Sequence, residues 1–349
     1  MISLTRVDLP EPEAPVTQMN CPRGMSTSMF LRLFSRAPRT TSDRSPGARR
    51  DAMNLADTVR QVVQAENDGF DSVWFPQMSG FGFDALTIIS MAGVQTERIE
   101  LGTAVIPTFP THPLAMAKQA LTAQVACGGR LTLGLGLSHK PSIEGTMGLS
   151  YQHPLRHMRE YLTVVRSLVD DGSVDFDGQV FQVKSDINVP GSSPFPIVTA
   201  ALAPRMLRLA GEMADGTVTW MAGVKAIGSH VVPRIREAAE AAGRPRPRVI
   251  ASLPLAVTDD PSEARERAAR TYNRYGQLAN YRRLLDIEGV EGPSEVTVIG
   301  NESQVEQQLR DFASAGATDF VASILPVTGD REASAARTME FLRSMVGRI

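Results

Sequence analysis

The chain has 349 residues, 42% of them hydrophobic and 21% charged, a soluble globular composition whose length suits two domains or one eight-fold β/α barrel with insertions. Its 36 basic and 38 acidic side chains leave a net charge of −2, which excludes nucleic-acid binding by bulk electrostatics. The long uncharged run 187–204 is broken by prolines, serines and an asparagine, so no stretch reads as a membrane span, and the two cysteines, Cys21 and Cys127, fit a reducing cytoplasm better than a disulfide framework or a zinc cluster.

Residues 1–50 stand apart. They hold eight arginines, four acids and six prolines, a net charge of +4, and they lack apolar periodicity outside Met29-Phe30-Leu31-Arg32-Leu33-Phe34. We therefore expect a mostly disordered N-terminal extension over 1–50, with one strand candidate at 29–34, and a single domain over 51–349. If 29–34 is a strand, period 2 puts Phe30, Arg32 and Phe34 on one face and Leu31 and Leu33 on the other.

From Met53 onward, helix and strand signals alternate. Leu55, Val59, Val62 and Val63 have the spacing of an amphipathic helix, and Gly69 follows it as a stop. Strand signals come at Ser72–Phe75 and Ile99–Val105, with a helix carrying Leu114, Ala117, Leu121 and Val125 after the second. Leu131 to Leu137 alternates strictly, so four leucines share one face while Thr132, Gly134 and Gly136 share the other. Leu155, Met158, Leu162, Val165 and Val169 form a helix seam. Val174–Phe181 reads as a β-hairpin around the Asp177-Gly178 turn. Further strands are predicted at Ile197–Thr199, Thr217–Trp220, Val249–Val257 and Asp319–Ile324, alternating with helices at 203–213, 230–241, from Asp260-Pro261, at 302–315 and from 331. Alternating βα units argue for a parallel sheet with helices outside. Seven strands plus 29–34 make eight, the number of a closed (β/α)8 TIM-type barrel with the hairpin inserted after the fourth helix.

Chemistry in such a barrel sits at the C-terminal strand ends. A Gly134-x-Gly136 dinucleotide fingerprint would need a third glycine where His139 stands. The Thr/Gly face instead predicts either room beneath a ligand in the lumen or close strand packing without one. His153 and His157 lie four apart, but Pro154 occupies the place of the glutamate that an HExxH site needs, so both read as first-turn helix residues and no metal site is expected. The strand-to-helix junction Ala200-Ala201-Leu202-Ala203-Pro204 offers free backbone N–H groups to an anion, as any such junction does.

Several segments together resemble the luciferase-like flavin and deazaflavin oxidoreductases, in the branch that uses coenzyme F420. They are Gly69–Gln77, Leu101–Val105, Gly134–Lys140, Arg156–Leu162, Tyr281–Asp286 and Ala315–Val321, and the likeness runs over about 53–345. The resemblance implies a β/α barrel, a homodimer, and a ring system seated in the barrel mouth. It also implies a non-prolyl cis peptide at Ala104-Val105, with Ala104, Val105 and Pro107 supporting the ring. The phosphate-bearing tail would fall on Ser138, His139, Ala200, Ala201, Leu202 and Ala203, with Lys225 as a further contact. Relatives that oxidise alcohols or sugar phosphates look to an Asp-His pair after the second strand. Here those positions are Gln77 and Met78, which speaks against that mechanism and leaves Gln77 the one candidate catalytic residue. The resemblance thus points to hydride transfer from reduced F420 to a small organic acceptor. An FMN-dependent monooxygenase and a non-catalytic deazaflavin- or flavin-binding protein are the alternatives.

Overall fold

The computed structural model describes residues 54–78, 82–327 and 329–348, together with the backbone of 26–30. The strands among the described residues are β1 Ser26–Phe30, β2 Ser72–Phe75, β3 Glu100–Thr103, β4 Ile106–Pro107, β5 Leu131–Gly136, β6 Ser173–Asp177, β7 Gln182–Asp186, β8 Ile197–Ala200, β9 Gly216–Trp220, β10 Arg248–Val257, β11 Val298–Gly300 and β12 Asp319–Ile324. The helices are α1 Leu55–Asn67, α2 Ala85–Gly93, α3 Pro113–Ala126, α4 Lys140–Gly145, α5 Pro154–Asp170, α6 Pro204–Met213, α7 Val224–Ala226, α8 Val232–Ala241, α9 Pro261–Gly276, α10 Ala279–Glu288, α11 Glu302–Ser314 and α12 Arg331–Met345.

The strand pairings close on themselves. The ring runs β1-β2-β3-β5-β8-β9-β10-β12 and back to β1, all parallel, with β4 extending β3 along β5 and β11 added beside the end of β10. Closure leaves no edge of this ring unpaired. The strand completing it is Ser26–Phe30, which overlaps the expected 29–34 at Met29 and Phe30 and begins three residues earlier. Its register is set by two neighbours, Ser26 opposite Asp319 and Met29 opposite Val73. Leu31 to Phe34, including Arg32, lie outside the described residues, as does the rest of the extension.

The predicted faces of β5 are as expected, with Leu131, Leu133 and Leu135 buried and Thr132 directed into the lumen, where its Oγ1 donates to Glu100 at 2.5 Å. Arg248 closes the N-terminal end of the barrel, its guanidinium bonded to Glu100 at 2.7 Å and Asp319 at 2.6 Å and lying 5.9 Å from the Trp74 ring centroid. Gly216 makes this possible, because a Cβ there would meet the Arg248 carbonyl at 2.4 Å. With that end filled by a charged cluster, access is from the opposite mouth.

Besides the short α4 and α7, two longer helices escaped the periodicity. In α2 the residues Ala85, Leu86, Ile88, Ile89, Ala92 and Gly93 are all buried, so too little polar face remains to show a period. Helix α10 lies between the helix expected from Asp260-Pro261 and that expected at 302–315, where the sequence pattern predicts no helix, and buries Tyr281, Leu284 and Leu285. The hairpin also needs correction: Asp177 pairs with Gln182, so Gly178–Phe181 is a four-residue loop rather than a two-residue Asp-Gly turn. The reason is Glu160 on α5, whose carboxylate accepts from the backbone N–H of Gln179 at 3.1 Å, Val180 at 2.7 Å and Phe181 at 3.0 Å and draws the loop open.

Candidate active site at the barrel mouth

Between β3 and β4 the Ala104–Val105 peptide is cis. The Ala104 N–H donates to the Phe75 carbonyl at 2.8 Å, and Gln77 N–H donates to the Val105 carbonyl at 3.4 Å, so the bulge is tied to the end of β2. On its other side, Thr103 Oγ1 donates to the Gly134 carbonyl and accepts from the Gly134 N–H, each at 2.8 Å. The two glycines of β5 are required by this contact. A Cβ on Gly134 would stand 1.8 Å from the Thr103 carbonyl oxygen, and one on Gly136 would stand 2.3 Å from Val105 Cγ2. The Thr/Gly face packs closely against the bulge, with Val105 in the hollow above Gly136.

Past the bulge the chain is pinned from α5. His157 Nε2 lies 3.0 Å from Thr108 Oγ1, and Tyr161 donates to the Thr111 carbonyl at 3.0 Å. The His157 ring stacks on Phe109 with centroids 4.0 Å apart, and Phe181, placed by the Glu160 loop, tilts against it at 5.2 Å. Burial pushes the His157 imidazole down to about 4, against the opposing pull of Glu160, so it is neutral at physiological pH. His153 goes elsewhere: it precedes α5 in a left-handed conformation with φ 48° and is exposed. The pair is therefore no metal site, and among the described residues no cluster of metal-ligating side chains occurs.

The expected tail residues lie on neighbouring loops. Ser138 adopts φ 58°, and His139 lies edge-on to Tyr281 and Tyr275, with centroids at 5.8 and 6.3 Å. Burial, then the charge of Arg274, lowers the His139 pKa. Ala200 ends β8, Ala201 is buried, and the Leu202 carbonyl lies 2.8 Å from His230 Nε2. Ala203 occupies the N-cap of α6 and has no side chain to cap it, so the helix presents first-turn N–H groups that no side-chain cap satisfies. Lys225 is exposed on α7, held near α10 by the Ala226 N–H, which donates to Glu288 at 2.6 Å. Gln77 does not stand as a free acid or base. Its carboxamide oxygen accepts from the Ala85 N–H at 2.8 Å and anchors the start of α2. Sequence reasoning gave no role to Thr108, Phe109, Tyr161, Tyr275 or Arg274, since each matters only through a contact across the fold.

Beside the bulge lies a cavity of about 280 Å³ lined by Gln77, Ile106, Pro107, Pro110, Met116 and Met147, among others.

Similarities to known proteins fit this geometry. The chain is 31% identical over 160 residues to a 5,10-methylenetetrahydromethanopterin reductase of Archaeoglobus fulgidus, which covers 45% of this chain and 47% of the relative. It is 26% identical over 279 residues to an F420-dependent glucose-6-phosphate dehydrogenase of Kineococcus radiotolerans, covering 75% of this chain and 81% of the relative. In fold it is similar to the FMN-bound oxygenating component of a 3,6-diketocamphane monooxygenase of Pseudomonas putida, with a TM-score of 0.71, 17% identity and coverage of 93% and 97% of the two chains. The model of the luciferase-like monooxygenase family matches residues 27–347, and the chain belongs to that family.

Proposed function

We propose that this protein is an F420-dependent oxidoreductase that transfers hydride from the reduced deazaflavin to a small organic acceptor. The observation that carries the direction is Gln77 with Met78. At the position where alcohol-oxidising relatives are expected to keep an Asp-His pair, a neutral amide is committed to the α2 backbone and a 51% exposed thioether follows it. Neither group takes a proton from an alcohol near neutral pH.

The residues present fit a flat ring with an anionic tail. The orphaned N–H groups at the uncapped start of α6, beside Leu202 and Ala203, suit a phosphate. Ala104, Val105 and Pro107 form the support for the ring, and Ser138, His139, Ala200 and Ala201 line the path to the tail. When bound, the coenzyme supplies a carbon that gives or takes a hydride. The protein's own contribution is position. Thr103 clamps the bulge to β5, His157 and Tyr161 fix the 108–111 loop beyond it, and His139 meets the tail as a neutral hydrogen-bonding group. Support for the cofactor assignment comes from the relatives, one of which is named for F420.

Titrating the purified protein with oxidised F420 and following its fluorescence tests the reading. Binding in the low micromolar range is expected, and no binding at tens of micromolar removes it. FMN-dependent monooxygenation is the second reading, favoured by the FMN-bound structure of the same fold. FMN retained through purification, or NADH-dependent oxygen uptake with added FMN, would establish it. The third reading, a flavin- or deazaflavin-binding protein without turnover, would suit an incomplete barrel, and β1 within the closed ring speaks against it. We further propose a cytoplasmic homodimer. Its contact face would be α2 with α3, where Met91, Val94 and Val125 are 37%, 71% and 40% exposed. Light scattering of the wild type and of Val125→Glu tests this, with a dimer expected for the first and a monomer for the second. Among the described residues, no helix is long and apolar enough to cross a membrane.

A further inference from the structure

We infer that the cavity beside the Ala104–Val105 bulge is the acceptor site and that it selects small uncharged acceptors, rejecting phosphorylated or carboxylated ones. The inference rests on the proposed F420 chemistry and deepens it by naming the acceptor class.

Contiguity places the acceptor there. Ile106 and Pro107 follow the bulge directly, and Gln77 is hydrogen-bonded through its backbone to the Val105 carbonyl. At about 280 Å³ the cavity is at the lower edge of ligand-site volumes, which suits a ligand smaller than a typical drug. Charge then selects. Among the described lining residues there is no lysine, arginine or histidine, and the one ionisable group is Asp84. Its carboxylate is committed to capping α2, accepting from both N–H and Oγ1 of Thr87 at 2.8 Å, so it offers an anion only repulsion. An anion entering here meets the like charge of Asp84 and no cationic side chain, while the neutral polar groups Gln77, Thr111 and Gln119 favour an uncharged ligand. A neutral carbonyl meets no such penalty. It can accept from Gln77 Nε2, which has no partner among the described residues because the carboxamide oxygen serves Ala85. The methionines, flexible and polarisable, adapt to its apolar part.

The simplest matching acceptor is a conjugated amide or ketone. Hydride adds to its β-carbon, the π electron pair moves to the carbonyl oxygen as an enolate, and a proton from water completes the α-carbon. The two electrons come from the reduced deazaflavin. The Kineococcus relative named for glucose 6-phosphate would, on this view, differ from the present chain in the acceptor and not in the coenzyme.

Cinnamamide and cinnamate share a skeleton and differ in charge, and their binding can be read by saturation-transfer NMR on the coenzyme-free protein. The amide is expected to bind at least tenfold more tightly than the carboxylate, and glucose 6-phosphate not to compete with it. In Asp84→Asn, where asparagine still caps α2, the preference should shrink toward unity. Met147→Trp, which fills the cavity from a loop, should weaken the amide at least tenfold while F420 affinity, measured by fluorescence, stays within twofold. Equal binding of amide and carboxylate, competition by glucose 6-phosphate, or amide binding untouched by Met147→Trp each overturns the inference. Failure of F420 to bind overturns the coenzyme reading instead.

Discussion

Protonation of His157 should weaken the fold over a defined pH window, and replacing the ring with phenylalanine should abolish that weakness. The imidazole is 5% exposed, stacked on Phe109 and bonded to Thr108 Oγ1. In the unfolded chain it protonates near its ordinary value of 6.5, whereas burial holds it to about 4 in the folded protein. Between these values the unfolded state binds a proton that the folded state refuses, so stability falls as pH drops from about 6.5 and stops falling below about 4. Each pH unit in that window is worth about 1.4 kcal/mol, about 3 kcal/mol in all. His157→Phe keeps an aromatic ring in the stack but leaves the buried Thr108 hydroxyl without its partner, a cost of about 1–2 kcal/mol near neutrality. The two stability curves should therefore cross: the variant is weaker near pH 7.5 and overtakes the wild type near pH 4.5. Urea unfolding at a series of fixed pH values, followed by circular dichroism, measures both curves. A difference between wild type and variant that is independent of pH would refute the reasoning.

Glu160→Gln should cost about 2 kcal/mol at neutral pH, since an amide cannot accept from three backbone N–H groups as the carboxylate does. Burial works to raise this carboxyl, but its bonds to Phe181, Val180 and Gln179 outweigh it and hold the pKa below the usual 4.5. The stabilisation is thus present above 4.5 and fades as pH falls through the lowered value, so urea unfolding should show the gap between the two proteins narrowing as the pH is taken below 4.5. Gly134→Ala should lower stability by about 3 kcal/mol or prevent folding, because the new Cβ would stand 1.8 Å from the Thr103 carbonyl oxygen; a thermal midpoint equal to wild type would contradict the β3–β5 register. Arg130 donates to the carbonyls of Gly93, Thr96 and Ile99 at 3.0, 2.6 and 2.6 Å and so closes the end of α2. Arg130→Ala should cost about 2–3 kcal/mol, with hydrogen exchange rising first along α2.

The strands with apolar runs were legible without coordinates: β2, β5, β10 and β12 carry the hydrophobic content that burial on both faces demands. So were α1 and α5, whose one-sided burial writes a 3.6-residue period into the chain. The sequence Ser-Thr-Ser-Met-Phe of β1 has no such mark. It is a strand because β12 and β2 present parallel edges on either side of it, and closing the barrel requires a partner for both. The site divides in the same way. The place of the bulge, Ala104–Val105, came from the resemblance, and the glycines opposite it from a strict alternation. That Val105 fills the hollow over Gly136 could be seen only when β4 lay against β5. His153 and His157 are equal in spacing and in type, yet packing leaves one in solvent and buries the other against Thr108, 49 residues away. Arg248 finds Glu100 across 148 residues and Asp319 across 71. Periodicity records which face of an element is buried, because burial acts on each residue where it stands. Which partner lies across the core is set by the closure of the barrel, and that belongs to no single segment of the chain.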